Sequence, residues 1–191
     1  MGLLLGFAPL IVFSIVTGLS VDLALWSAFA VAFVIAIRDF AQTRILRALD
    51  VGSTLLFGLL ALYAGFIQPS LSVQAIRLIV DGGFLIIACR SLLAGTPFTL
   101  DYVRQQASRE IRRAPDFLHS NFVVTSAWLF AFAAMSAIDA AATFNKTFPV
   151  TLDGAASLAV LTLAVIFTAR YPGMQILEPA RLQRPRTIRR L

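Results

Sequence analysis

The chain has 191 residues, of which 59% are hydrophobic and only 14% are charged. Soluble globular domains carry about 45–50% apolar and about 25% charged residues, so the composition excludes an ordinary soluble domain and indicates a membrane protein. The net charge of +6 comes almost entirely from arginine. No nucleic-acid-binding motif accompanies this charge, and we predict that nucleic acid is not a partner.

Six apolar segments are long enough to cross a hydrocarbon core about 30 Å thick. Backbone polar groups in lipid must bond within their own segment, which favours helices. The predicted fold is therefore all-α: a polytopic membrane helix bundle over residues 1–171, followed by a basic, proline-containing tail over 172–191. We predict six transmembrane helices, with five as the alternative. The predicted spans are 3–19, 23–37, 51–67, 71–93, 122–144 and 150–169.

Two aspartates lie where predicted spans begin. Asp50 precedes the third span, and Asp153 lies at the start of the sixth. Aspartate side chains often accept hydrogen bonds from the free N–H groups of a first helical turn. We therefore predict that both residues are N-terminal caps.

Arginines alternate between rich and poor connections along the chain. The loop after the second span, the loop after the fourth and the tail contain 14 arginines together, whereas the other three connections contain only Lys146. Basic residues concentrate on the cytoplasmic side of membrane proteins. This pattern predicts that both termini are cytoplasmic.

The longest predicted connection, over 96–121, is predicted to lie in the cytoplasm. Its apolar residues recur at helical spacing, which predicts a short amphipathic helix on the inner leaflet, ended or bent by Pro115; a solvated basic loop is the alternative. Anionic lipid headgroups are the predicted partners of the arginines in this loop and in the tail. These arginines are Arg104, Arg109, Arg112, Arg113, Arg184, Arg186, Arg189 and Arg190.

Three ionisable residues lie inside predicted spans, where they are costly and commonly functional. Arg77 and Asp81 are four residues apart on one helix face and are predicted to pair. Asp139 lies near the outer end of the fifth span, at a depth similar to that of Arg77. These three form a candidate polar cluster for a proton, an ion or a polar substrate. The alternative is a neutralised pair that fixes helix packing, with Gly82 and Gly83 allowing close approach.

A faint repeat relates the two halves of the chain at an offset of 103 residues. It matches Ala28-Phe29-Ala30 with Ala131-Phe132-Ala133, and Leu49-Asp50 with Leu152-Asp153. Two three-helix halves would have opposite topology, as in many transporters. Chance matches between low-complexity helices are the alternative.

Other chemistry is sparse. The lone Cys89 is predicted to be a small packing residue, and the lone His119 a surface residue. Trp26 and Trp128 are candidate interface anchors, with core packing as the alternative for Trp128. No phosphate loop, nucleophile elbow or HExxH motif is present, so we predict no metal, no cofactor and no enzymatic activity.

Several short motifs resemble those of the intracellular septation protein A family of bacterial inner-membrane proteins, and of uncharacterised bacterial membrane proteins related to it. The likeness covers most of residues 3–171, although Thr125 replaces the family's Asn and that family is usually drawn with five spans. The resemblance implies a role in the cell envelope and septation, without an established reaction. The residues that carry it are Phe7 to Phe13, Pro97, Phe98, Thr99, Tyr102, Arg104, Gln106, Phe117, Asn121, Thr125 to Trp128, Asp139 and Leu161 to Leu163.

Three functions remain open from the sequence. The leading hypothesis is a non-enzymatic inner-membrane protein that helps organise the envelope through contacts with other membrane proteins. The second is a small transporter or channel that uses Arg77, Asp81 and Asp139. The third is a lipid-modifying enzyme, for which only His119 and a few polar loop residues offer chemistry.

Overall fold

The computed structural model describes residues 5–44, 47–69, 71–103, 115–145 and 150–171. All regular structure in these residues is helical, which confirms the all-α prediction for this part of the chain. A π-helical turn over Tyr63–Ile67 continues the third helix. The α-helices are α1 (Ala8–Val16), α2 (Val21–Thr43), α3 (Ala48–Leu62), α4 (Val73–Leu93), α5 (Phe98–Val103), α6 (Pro115–Phe144) and α7 (Val150–Arg170).

Four helices in the described residues are long and apolar enough to cross a membrane: Val21–Thr43, Ala48–Ile67, Asp116–Phe144 and Leu152–Arg170. The prediction of a helical membrane bundle is therefore supported, but helix length and composition support four spans and not six. The helix α1 has only nine residues. The helix α4 has 21 residues, but it contains three charged residues, Arg77, Asp81 and Arg90.

Aromatic rings form the centre of the bundle. Phe7, just before α1, stacks on Trp128 of α6 with ring centroids 3.7 Å apart. Phe84 of α4 stacks on Phe132 of α6 at 5.3 Å, and Phe57 of α3 lies 6.1 Å from Phe84. Such rings combine a large buried area with specific pairing. They hold four helices around one core, in which α6 packs most extensively against α4.

Large apolar side chains also cover much of the outer surface. Leu93, Phe130 and Phe144 are among the exposed residues. Soluble monomers rarely expose apolar surface on this scale, whereas lipid-facing helices require it. Trp26 is 42% exposed, as an interface anchor would be, whereas Trp128 is fully buried and is a packing residue.

Several local predictions are wrong. The helix α3 begins at Ala48 and α7 at Val150, so Asp50 and Asp153 lie inside first turns and neither is an N-terminal cap. Pro115 is the first described residue of α6, in keeping with the preference of proline for first helical turns, and the helix that it was predicted to end or bend lies outside the described residues. Cys89 is exposed and is not a core packing residue.

The predicted lipid-contacting arginines lie outside the described residues. They fall within 104–114 and 172–191, and most of the predicted amphipathic helix falls within the first of these ranges. On either side of 104–114, α5 ends at Val103 and α6 begins at Pro115. The fifth predicted span therefore belongs to a helix that starts seven residues before position 122.

The helix bounds agree with the proposed repeat, but the matched residues of the two halves agree only partly in their burial. The segment 48–67, shifted by 103, becomes 151–170, and α7 covers Val150–Arg170. Asp50 and Asp153 are both buried, as are Ala61 and Ala164. By contrast, Leu60 is buried and Leu163 is exposed. The inverted repeat therefore stays a prediction.

Candidate functional site

The bundle holds a group of charged and polar side chains where α4, α6 and α7 meet. The helix α4 contributes Arg77 and Asp81, α6 contributes Asp139, and α7 contributes Asp153 and Ser157. We call these five residues the acid cluster. All lie within about two turns of the same end of the bundle, because α4 and α7 begin there and α6 ends there.

Arg77 pairs across helices. Its Nη1 atom lies 3.6 Å from Oδ2 of Asp153, so the ion pair joins α4 to α7. The sequence predicted Asp81 as its partner, four residues along the same helix. The Asp81 carboxyl group interacts electrostatically with Arg77, but the two side chains do not form an ion pair.

The carboxyl groups of Asp81 and Asp139 are neighbours across α4 and α6, and the Asp153 carboxyl group is a further neighbour of Asp139. Ser157 donates a hydrogen bond to Oδ1 of Asp139 at 3.5 Å. In the part of the chain that the structure describes, Oδ2 of Asp139 and both carboxylate oxygens of Asp153 have no hydrogen-bond partner. The structure thus brings the three sequence-predicted residues Arg77, Asp81 and Asp139 together and adds Asp153.

The three carboxyl groups are enclosed. Asp139 is 0% exposed, Asp153 is 1% exposed and Asp81 is 4% exposed. The Arg77 side chain is 17% exposed, so it is the charged member nearest the surface. Burying a charge is expensive unless it is paired, and one guanidinium cannot neutralise three carboxylates. The described residues contain no group of three or more His, Cys, Asp or Glu suited to holding a metal ion.

Glycines leave room for close side-chain and helix contacts around the acid cluster. A Cβ added at Gly154 would lie 2.8 Å from Nη1 of Arg77, so only glycine leaves the guanidinium its present position. A Cβ at Gly83 would lie 2.7 Å from Leu56 of α3, whereas one at Gly82 would meet nothing within 4 Å. Of the two adjacent glycines, only Gly83 permits close helix approach.

A second buried charged group lies at the opposite end of the bundle, where α3 begins. Arg47 forms an ion pair with Asp39 and lies 3.9 Å from Asp50. Tyr102 of α5 donates a hydrogen bond to Oδ1 of Asp50 at 2.6 Å. We call Asp39, Arg47, Asp50 and Tyr102 the tyrosine cluster. It ties the α2–α3 junction to α5.

The tyrosine cluster constrains the protonation of its phenol. Burial raises the pKa of Tyr102, and the adjacent Asp50 carboxylate raises it further. The guanidinium of Arg47 lies over the Tyr102 ring, 4.5 Å from the centroid, in a cation–π contact. Two carboxylates therefore share one arginine and one neutral tyrosine, so this cluster is more nearly balanced than the acid cluster.

The residues that carry the family resemblance also meet in space. Thr99 donates a hydrogen bond to the Asn121 carbonyl at 3.1 Å and lies 2.9 Å from the Thr125 hydroxyl. Phe7 packs edge-on against Phe98 at 5.8 Å. Trp128 donates from Nε1 to the Thr168 hydroxyl at 3.0 Å. These contacts form a packed junction of α1, α5, α6 and α7, which we call the motif junction.

Sequence reasoning missed Asp153, Asp50 and Arg47 as site residues. The two aspartates were interpreted as caps and the arginine as one of many loop charges. A signal was present, since the repeat matches Leu49-Asp50 with Leu152-Asp153 and so singles out both acids. His119 is exposed and belongs to neither cluster.

No family model matches the chain, and no curated protein or solved structure is detectably similar to it. The resemblance to the septation protein family therefore stays a prediction. The function has to be inferred from the geometry of the two clusters.

Proposed function

We propose that the protein is a small, non-enzymatic transporter that moves a cation or a proton by way of the acid cluster. The observation that carries this proposal is the enclosure, in the described part of the bundle, of three carboxyl groups with a single guanidinium at the contact of three helices. The charge imbalance among these described residues favours a bound positive charge, because water has little access to Asp139 or Asp153.

A purely structural role explains only half of the acid cluster. A neutral pair that fixes helix packing needs one acid and one base, and Arg77 with Asp153 already forms it. Among the described residues, Asp81 and Asp139 are then two further buried acids without a base. Acids of this kind inside membrane bundles commonly belong to ion or proton pathways.

The proposal includes a membrane arrangement. The protein lies in a bacterial inner membrane as a multi-pass bundle, with α1 and α4 added to the four apolar helices to give six spans. Both termini are cytoplasmic, and anionic lipids contact the arginine-rich loop and tail. In this arrangement the acid cluster lies toward the outer leaflet and the tyrosine cluster at the cytoplasmic side.

Flux through reconstituted protein tests the transport function. Purified protein is placed in proteoliposomes of phosphatidylethanolamine and phosphatidylglycerol that contain a pH-sensitive dye. A potassium gradient with valinomycin sets the membrane potential, and proton flux is followed; a second series replaces the dye with one that reports sodium. We expect flux in at least one series that Asp139→Asn reduces at least tenfold.

The matched control is Asp22→Asn. Asp22 is an exposed acid in the first turn of α2, at the same end of the bundle as the acid cluster. Its replacement removes the same charge and is expected to leave the flux unchanged. Wild-type vesicles that show no more flux than empty vesicles in either series would contradict the transport function.

Envelope organisation is the second candidate, and the motif junction favours it. Its buried hydroxyls and stacked rings join four helices in one packed unit, as a scaffold for other membrane proteins requires. Affinity purification in mild detergent from native membranes tests this candidate. We expect envelope-synthesis or division components to be enriched with wild type and with Asp139→Asn alike. Recovery of none of them would argue against the candidate.

A further inference from the structure

We infer that the positive charge held by the acid cluster is a proton, shared between the carboxyl groups of Asp81 and Asp139. This inference rests on the proposed function for the site and names its ligand. Arg77 and Asp153 are its charged neighbours, and both stay charged while the other two acids gain and lose the proton.

Two neighbouring buried acids are stabilised by a shared proton. Ionised carboxylates only accept hydrogen bonds, so two of them cannot bond to each other unless one carries a hydrogen. Asp81 and Asp139 are buried neighbours, and Oδ2 of Asp139 has no hydrogen-bond partner among the described residues. Two acids that share one site in this way commonly hold one proton between them.

The geometry disfavours a metal ion in the same place. Hard cations require several oxygen ligands around one point. The acids in the described residues are not grouped so that three of them could hold a metal ion. Arg77 is already bound to the third acid, Asp153, and its positive charge would repel a cation placed beside it. A proton needs only the two facing oxygens.

Arg77 offers a way to balance the charge when the proton leaves. The proton passes from the Asp81–Asp139 pair to water at the surface near Arg77, which is the most exposed charged member of the cluster. The pair then carries two negative charges. Arg77 lies four residues before Asp81 on one face of α4, so its guanidinium can turn from Asp153 toward Asp81. The charged groups that face the pair are Arg77 from α4 and Asp153 from α7.

Infrared spectroscopy of the purified protein in detergent tests for this proton without any need for transport. A protonated carboxyl group gives a C=O stretching band that carboxylates lack. At neutral pH we expect wild type to show such a band, shifted in heavy water, and we expect Asp139→Asn to lose it. The amide of the new asparagine donates to Asp81 in place of the proton, so this variant should keep its fold.

Two further variants make the assignment specific. Asp139→Glu should keep a band but move its frequency, because the acid remains and its geometry changes. Asp153→Asn should keep a band, because Asp81 and Asp139 both remain, but its frequency should move because Asp153 neighbours Asp139. Absence of the band from wild type, or an unchanged band in both Asp139→Asn and Asp81→Asn, would overturn the proton assignment. Sodium flux in the vesicles together with no band would leave the transport function standing and refute only the proton.

Discussion

The guanidinium of Arg77 on α4 lies 3.6 Å from the carboxylate of Asp153 on α7. Both helices pack on α6, but they make few contacts with each other. The ion pair is therefore the main direct link between the first turns of α4 and α7. Arg77 supplies the only guanidinium of the acid cluster, whereas Asp153 is one of its three buried acids. The two partners of the ion pair should therefore contribute unequally to stability.

Removing Arg77 should cost more stability than removing Asp153. Arg77→Gln leaves three buried acids without a base, and breaking a buried pair in this way costs about 3 kcal/mol. Asp153→Asn leaves the guanidinium near Asp81 and should cost less. Reversible unfolding in mixed micelles measures both losses. A loss for Asp153→Asn equal to or larger than that for Arg77→Gln would contradict this account of the acid cluster.

Gly154→Ala should disturb the same ion pair through sterics alone. The new methyl group would lie 2.8 Å from Nη1 of Arg77 and would push the guanidinium away. The matched control is Gly82→Ala, which meets nothing within 4 Å and should stabilise α4 by up to about 1 kcal/mol because alanine favours helices. Thermal unfolding should therefore shift in opposite directions for the two variants. Equal shifts would show that Gly154 has no steric role.

Tyr102→Phe should lower stability at neutral pH and remove an alkaline transition. The change deletes the hydrogen bond to buried Asp50, a loss of about 1–3 kcal/mol. The pKa of Tyr102 is raised in the folded protein above the ordinary value of about 10. The stability it contributes is therefore complete below about pH 10 and is lost as pH rises further. Unfolding measured from pH 7 to 11 should show the two proteins converging; a constant difference would contradict the assignment.

Thr168→Val should destabilise the motif junction. The Trp128 Nε1–H is fully buried and donates to the Thr168 hydroxyl, so valine leaves it without an acceptor. Hydrogen bonds between membrane helices average about 0.6 kcal/mol, and we expect a loss of about 0.5–2 kcal/mol. Thr162→Val on the same helix is the control, because Thr162 is exposed and bonds only to the Leu158 carbonyl. Tryptophan fluorescence during unfolding should separate the two variants.

Cysteine labelling tests the membrane arrangement. With Cys89 replaced by alanine, single cysteines are introduced at Arg109 and at Lys146. The distribution of arginines predicts that a membrane-impermeant maleimide added to intact cells reaches position 146 only, and reaches position 109 after permeabilisation. Labelling of both positions from the same side would refute the six-span arrangement.

Periodicity and composition identified the helices more reliably than their ends. The apolar runs predicted 51–67 and 150–169, and the structure has helical backbone over Ala48–Ile67 and Val150–Arg170. The ends differ because capping depends on the local backbone path. Aspartate at the start of an apolar run looks like a cap, but Asp50 and Asp153 begin the buried face of their helices instead.

The sequence by itself determined that this chain is helical and suited to lipid, because those properties depend on the average apolarity of each segment. It also indicated Arg77, Asp81 and Asp139, since a charge inside an apolar run is visible without knowing its neighbours. Only the tertiary structure decided that Asp153 takes the guanidinium and that Asp81 faces Asp139. Partners on different helices are set by how those helices rotate and pack, and one helix's sequence does not contain that information.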